Sequence, residues 1–163
     1  MNNAAVTTDN TVRPLLSTDF ERVVSIDSAH IGEPRRRFFE KRLAHAKRHP
    51  DDFVHVGVTR NGALVGFAFA RILRGEFGRD QAIATLDAVG VAHDSQERGV
   101  GHALMDGLTK AMREKKVQSL QSQAEWTNHG LLHFFDATGF KLASRLVLER
   151  SVLTPLVEPV EGE

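Results

Sequence analysis

SQERGVGHALM, residues 95–105, sets two glycines, Gly99 and Gly101, one residue apart where a helical pattern begins. Glycine loses more conformational entropy on folding than any other residue, so a helix that opens on glycines needs its backbone bare. The first N–H groups of a helix have no partner within it and lie at the positive end of its dipole. With no Cβ in the way, they can meet an anion such as a phosphate at close range. Before this stretch, AIATLDAVGVAH (82–93) reads as a long strand. After it, Val100, Leu104, Leu108, Ala111 and Met112 mark one helical face, with Arg113, Lys115 and Lys116 where the dipole favours cations.

Further out, FVHVGVT (53–59) and ALVGFAFARIL (63–73) are apolar, β-branched and aromatic runs joined through Arg60-Asn61-Gly62, a strong hairpin signal. TVRPLL (11–16) reads as a short strand, and STDFERVVSID (17–27) as a helix capped by Ser17, Thr18 or Asp19. Pro34 suits the first position of a second helix. SLQSQAEW (119–126) reads as a strand, HGLLHFFDAT (129–138) as a helix with Gly139 as its left-handed cap, and FKLASRLVLERSV (140–152) as a closing strand or hairpin. Residues 1–11 are expected to be disordered, 12–152 to form one domain, and 153–163 to be an acidic tail. This order of elements predicts an α+β domain with a mixed, mostly antiparallel sheet.

Composition removes several classes of function. Lys+Arg and Asp+Glu balance at 21 each, which gives no electrostatic case for nucleic acid as a partner. The chain has no cysteine, so disulfides, thiolate metal sites and cysteine nucleophiles are out. MNNAAVTTDNT lacks the features of a signal peptide, and no apolar run approaches the roughly 18 residues of a membrane span. A soluble cytoplasmic protein with no membrane partner is expected. His45 and His49, like His129 and His133, share i,i+4 spacing, yet neither pair encloses the glutamate of H-E-x-x-H or has a third ligand. No metal site is expected. Trp126 is expected in the core or the wall of a cleft.

Two phosphate motifs do not fit. A Walker loop needs Gly-Lys-Ser/Thr, and none is present. The dinucleotide fingerprint needs a third glycine where Leu104 stands, and Ala92 to Arg98 is too long for its tight turn. Gln96-x-x-Gly99-x-Gly101, after Val89-Gly90-Val91, instead resembles the acyl-CoA pyrophosphate loop of the GNAT superfamily of N-acetyltransferases. Asn128, Phe134-Phe135 and Gly139-Phe140 resemble a second segment of that family. The resemblance covers roughly residues 11–150 and implies a splayed sheet flanked by about four helices.

It also implies acetyl-CoA as co-substrate and acetyl transfer to a primary amine by direct attack in a ternary complex. Backbone of Gln96, Glu97, Arg98, Gly99, Val100, Gly101 and His102 would hold the pyrophosphate. Backbone of Val89, Gly90 and Val91 would pair with pantetheine beside a bulge at Gly90, the lesser alternative being that the glycine only meets a packing constraint. Asn128 would contact the pantetheine arm or order water.

Most amines are protonated at neutral pH, so acetyl transfer needs a base or a desolvating pocket. Asp87 is the candidate, on a strand face with Thr85, Val89 and Val91; an ion pair with an arginine such as Arg71 is the structural alternative. Phe135 stands where the family usually has a tyrosine that protonates the leaving thiolate, and this chain has no tyrosine. A catalytically weak acyl-CoA-binding regulatory module is therefore a second hypothesis. PRRRFFEKRLAHAKRH (34–49) is a basic helix in which Arg35 to Arg37 would select an anionic acceptor. A small-molecule amine is the favoured acceptor, with a protein N-terminus or lysine as the alternative. A homodimer is compatible with the family.

Overall fold

Asn61 and Gly62, with φ of 51° and 79°, turn the chain through a two-residue hairpin and set the register of β2 (Phe53–Arg60) against β3 (Ala63–Leu73). Positive φ at both central positions is what a type I′ turn demands. In the computed structural model, which describes residues 9–153, this hairpin is the middle of a five-stranded sheet of order β1-β2-β3-β4-β5. β1 (Thr11–Pro14) and β4 (Ile83–Val91) flank it, both antiparallel to their neighbours. β5 (Ser119–Gln121) runs parallel to β4 after a crossover through α3 (Val100–Glu114). The mixed, mostly antiparallel sheet of an α+β domain is as the element order predicts.

Helices cover both faces. Val23, Val24 and Ile26 of α1 (Phe20–Ile31) and Phe39 of α2 (Arg36–Arg48) pack with Phe67, Phe69 and Ala88 on one face. Val100, Leu104, Leu108 and Met112 of α3, with Phe135 of α4 (His129–Ala137), pack with Val54, Val56, Val58 and Leu86 on the other. Local chemistry ends these helices. Gly32 and Gly139 adopt φ of 89° and 86° after α1 and α4, and Phe140 N–H closes back on the Phe135 carbonyl at 2.9 Å. Asp19 does not cap α1; its carboxylate accepts the Leu16 N–H at 2.7 Å and the Arg13 guanidinium, within a 3₁₀ turn. Pro34 is not inside α2, which begins at Arg36 because Arg35 turns back to Asp27.

The decisive irregularity is in β4. Phe69 pairs with Ala88 and Ala70 with Leu86, which leaves Asp87 as one residue too many. A bulge of this kind breaks the alternation of a strand. Before it, Ala84 and Leu86 face the α3 layer; after it, Val89 and Val91 face that layer, and Ala88 faces α1 and α2. The expectation that Asp87 shares a face with Val89 and Val91 is thus corrected: the extra residue places them on opposite sides. The bulge itself is at Asp87, not at Gly90. Gly90 pairs regularly with Phe67, and a Cβ there would lie 2.7 Å from Cε1 of that ring and 3.1 Å from Ile26. Packing is what requires this glycine.

Three other expectations change. β5 stops at Gln121 rather than running to Trp126, because β4 turns its edge away at the bulge. No strand forms over 140–152 among the described residues; β5 offers only a three-residue edge, and Leu142, Leu146, Leu148 and Val152 stand exposed. Trp126, 80% exposed, belongs to neither the core nor a buried wall. The expected disordered N-terminus and acidic tail fall almost wholly outside the described residues, although Thr11 already belongs to β1.

Gly90→Ala is expected to force the Phe67 ring aside and cost about 1–3 kcal/mol. Thermal unfolding should show Tm several degrees lower, with part of the loss recovered when Phe67→Leu is added. An unchanged Tm would show that the ring yields freely.

Candidate active site

Past Thr85, β4 loses its neighbour. The parallel pairing ends at Thr85 with Gln121, and Ser122 Oγ donates to the Leu86 carbonyl at 3.1 Å where the strands part. Beyond that point one edge of β4 is open. Ala92 donates its N–H to the Val65 carbonyl at 2.8 Å, toward β3, so strand alternation turns the backbone groups of Val91 and Val89 to the open edge. One of these is occupied: His30 Nε2 lies 2.6 Å from the Val91 carbonyl oxygen and, since a carbonyl only accepts, carries the proton. The His93 ring lies 4.4 Å from His30, between α1 and the loop that follows β4. Val89 N–H and C=O and Val91 N–H form the free part of the edge.

That loop leads to α3. Gln96, Glu97, Arg98 and Gly99 are exposed, with Glu97 at φ 59° and Gly99 at φ 76°. The first helical bond runs from Ala103 N–H to the Gly99 carbonyl, so the N–H groups of Val100, Gly101 and His102 have no partner within the helix. Side chains tie the loop down. Arg60, buried at the end of β2, donates to Asn10 Oδ1 at 2.7 Å and to the Arg98 carbonyl at 3.2 Å. Asn10 Nδ2 donates to the same carbonyl at 3.0 Å. Gly101 has a second duty: a Cβ there would lie 2.7 Å from the Phe134 ring, so the residue also lets α4 approach α3.

On α4, Asn128 Oδ1 accepts the Leu131 N–H at 3.1 Å and caps the helix. Phe135 is 9% exposed and stacks 4.6 Å from Phe140, as a core residue facing the α3 layer. The residues expected around a CoA-type ligand thus lie along the open β4 edge, on the α3 N-terminus and on α4.

Asp87 lies on the opposite face, under α2. Its Oδ2 accepts from Arg71 Nε at 2.8 Å, and Arg42 Nε lies 3.0 Å from the same oxygen. The Asp87 side chain is 9% exposed. The arginine partner anticipated for Asp87 is present, together with a second one. Beside this cluster a cleft of about 550 Å³ opens between α2, the start of β2 and the end of β3, with His45, His49 and Phe53 on its walls. Of the three arginines expected to meet an acceptor, two are engaged: Arg35 forms a two-pronged pair with Asp27 at 2.6 and 2.9 Å, and Arg36 pairs with Glu21 at 2.6 Å. Arg42, further along the same helix, is the arginine of α2 that reaches Asp87. It is hard to pick out of a basic run, yet it follows the buried Phe39 by three residues, which puts it next to the buried helical face.

His55, on β2 in reach of the Arg42 charge, is a second residue near this cluster that the sequence did not single out. Its ring lies 4.1 Å from Phe69, its Nε2 is buried with no hydrogen-bond partner, and its pKa is lowered to about 4 by burial first and the Arg42 charge second.

Comparison with known proteins agrees with this fold. The profile of the Acetyltransferase (GNAT) family matches residues 11–140. The [ribosomal protein bS18]-alanine N-acetyltransferase of Escherichia coli strain K12 is 24% identical over 135 residues, 83% of each chain. The mycothiol acetyltransferase of Propionibacterium freudenreichii subsp. shermanii is 28% identical over 131 residues, 77% of this chain; the match spans only 41% of that longer protein. Among solved structures, aminoglycoside N-acetyltransferase AAC(6')-Iy in complex with CoA superposes with a TM-score of 0.71 at 20% identity, over 88% of this chain and 95% of that one.

Unfolded histidine takes a proton near pH 6.5, whereas folded His55 resists it down to about 4. Its contribution to stability is therefore complete above the first value and is lost as pH falls toward the second. Between about pH 7.5 and about pH 5 this should remove about 2 kcal/mol, or about 4–8 °C in Tm. His55→Phe, which keeps the ring contact and has nothing to titrate, should show a drop smaller by that amount. Equal drops in parent and variant would show that His55 is not held neutral.

Proposed function

The chain belongs to the GNAT acetyltransferase family, and on that premise we propose that it transfers acetyl from acetyl-CoA to the primary amine of a small molecule by direct attack in a ternary complex. The observation that carries the proposal is the open β4 edge at Val89 and Val91, which leads through the loop to the unpaired N–H groups at the start of α3 and begins two residues after the Asp87 bulge. Acetyl-CoA supplies the activated acetyl group. The residues fit it: N–H groups of Val100, Gly101 and His102 receive pyrophosphate at the positive helix end, with Gly99 keeping the approach clear. Val89 C=O and Val91 N–H give an extended amide chain an acceptor and a donor on one edge. The Gln96–Arg98 backbone, tied down by Arg60 and Asn10, is pre-shaped for that contact.

Asp87 handles the acceptor. Both arginines meet its Oδ2, so Oδ1 is the oxygen left to orient an ammonium and pass its proton to water. The Asn128 carboxamide has its oxygen committed to the helix cap, which leaves Nδ2 as the group facing a ligand. Phe135 donates no proton. The thiol of CoA has a pKa of roughly 8.5 and leaves tolerably as the thiolate, with solvent completing the transfer. The cleft opens broadly to solvent, and that shape supports the alternative acceptor, a protein N-terminus or lysine side chain. The apolar Phe135, in a chain without tyrosine, favours the alternative of a binding module with weak turnover.

Acetyl-CoA at about 100 times its Kd should add about 2.7 kcal/mol of stability, and thermal unfolding should show Tm higher by about 5–10 °C with NADH as an inert control. No rise at millimolar acetyl-CoA would remove the loop and the β4 edge from the proposal. With an amine that supports thiol release, Asp87→Asn should lower kcat/KM near neutral pH by about tenfold or more and change its pH profile. An unchanged profile in a variant that still folds would take Asp87 out of the mechanism.

A further inference from the structure

Two guanidinium groups on the wall of the cleft share one carboxylate, that of Asp87, which lies behind them at 9% exposure. Arg71, from β3, and Arg42, from α2, both direct Nε at Oδ2 of Asp87, at 2.8 and 3.0 Å. A guanidinium carries five N–H donors. Beyond Asp87, neither arginine donates to any described residue, so the Nη groups of both are uncommitted. Arg42 Nε is shut off from solvent without good hydrogen-bond geometry, and the side chain is held over the Phe38 ring at 5.3 Å. Burial lowers the Arg42 pKa below its ordinary value, the Asp87 charge raises it, and the Arg71 charge lowers it again.

Among the described residues no carboxylate other than Asp87 pairs with either guanidinium. Asp52 is taken by Arg74 at 2.6 Å, and Glu76, also on the cleft wall, pairs with neither Arg42 nor Arg71. On the other side of Arg42 a second hollow of about 490 Å³ is lined by Lys41, Arg48 and His45, with no acidic residue on its wall. Two partly buried guanidinium groups with open Nη donors, next to the carboxylate assigned to the amine, are what a second and external anion would complete.

We propose that the acceptor is a free amino acid, its carboxylate bridging the Nη groups of Arg42 and Arg71 and its ammonium set against Oδ1 of Asp87. The inference rests on the acetyltransferase reading above and names the substrate class of that site. An α-amino acid carries its opposite charges on adjacent atoms of one small centre, and the Arg–Asp cluster presents the complementary charges 2.8 Å apart. In the reaction the amine lone pair forms the C–N bond as the C–S bond breaks, its electron pair leaving with sulfur. Of the three ammonium protons, one stays on the amide nitrogen, one ends on the thiol and one goes to solvent. The product keeps its carboxylate and hence its hold on the arginines.

The test compares the common L-amino acids with their primary carboxamides, using thiol release at saturating acetyl-CoA. At least one acid should exceed its own carboxamide in kcat/KM by about tenfold or more, with the difference in KM. Arg42→Gln and Arg71→Gln, each of which leaves Asp87 one arginine, should bring that ratio down toward one; Arg71→Lys, which keeps charge but not the fork, should restore only part. Equal rates for acids and carboxamides, or a ratio that survives both variants, would overturn the inference while leaving the acetyltransferase reading intact. A binding arm separates the two failures. Calorimetry with the N-acetyl derivative of the preferred amino acid, or with N-acetylglycine if none turns over, needs no catalysis. Binding that is lost in Arg42→Gln supports the anion site even where thiol release is absent. No binding of either acid or product overturns it whether or not acetyl-CoA raises Tm.

Discussion

One extra residue in β4 organises this molecule. Without the bulge at Asp87, alternation would hold Leu86, Ala88 and Gly90 on a single face, and Asp87, Val89 and Val91 on the other. With it, the strand serves two layers in succession: Leu86 below and Val89 and Val91 above face α3, while Asp87 and Ala88 face α1 and α2. The same irregularity ends the partnership with β5 after three residue pairs and opens the edge along which a linear ligand can lie. The open edge and the side on which the acid stands are therefore products of a single departure from regular pairing.

The two faces flanking that strand are specialised. The α3 side is aliphatic and tight. Gly66, whose Cβ would lie 2.6 Å from Val100, and Gly101, filled by Phe134, bring helices close to the sheet and to each other. The α1 and α2 side is aromatic and charged. Phe39 meets Phe67 and Phe69 edge-on at 5.6 and 5.3 Å, and this ring cluster supports the Asp87, Arg42 and Arg71 group and the buried His55. Edge-to-face rings hold geometry better than aliphatic chains do. A charged cluster that must keep its spacing gains from that floor.

Where local chemistry decides, the sequence was readable. Asn61-Gly62 announced its hairpin, Gly139 its helix end, and Gln96-x-x-Gly99-x-Gly101 its loop, because each depends on residues adjacent in the chain. Other features depend on what meets across space. No local signal distinguishes a bulge at Asp87 from one at Gly90; the choice follows from which β3 residue each one faces, and Gly90 is explained by Phe67 and Ile26. Arg35 and Arg36 looked available because their carboxylate partners, Asp27 and Glu21, lie on another helix. The run 140–152 has the composition of a strand, yet a strand needs an edge to pair with, and that edge is absent from the sequence pattern itself.

The loop that precedes α3 depends on a residue far from it. Asn10 joins Arg60 and the Arg98 carbonyl, 88 positions from its own, into one small knot. Similarity to the family begins at Thr11, one residue later. A domain cut by homology at that boundary would keep every strand and helix and lose the side chain that holds the loop before α3 in shape. Its working boundary lies outside the region that resemblance alone would recognise.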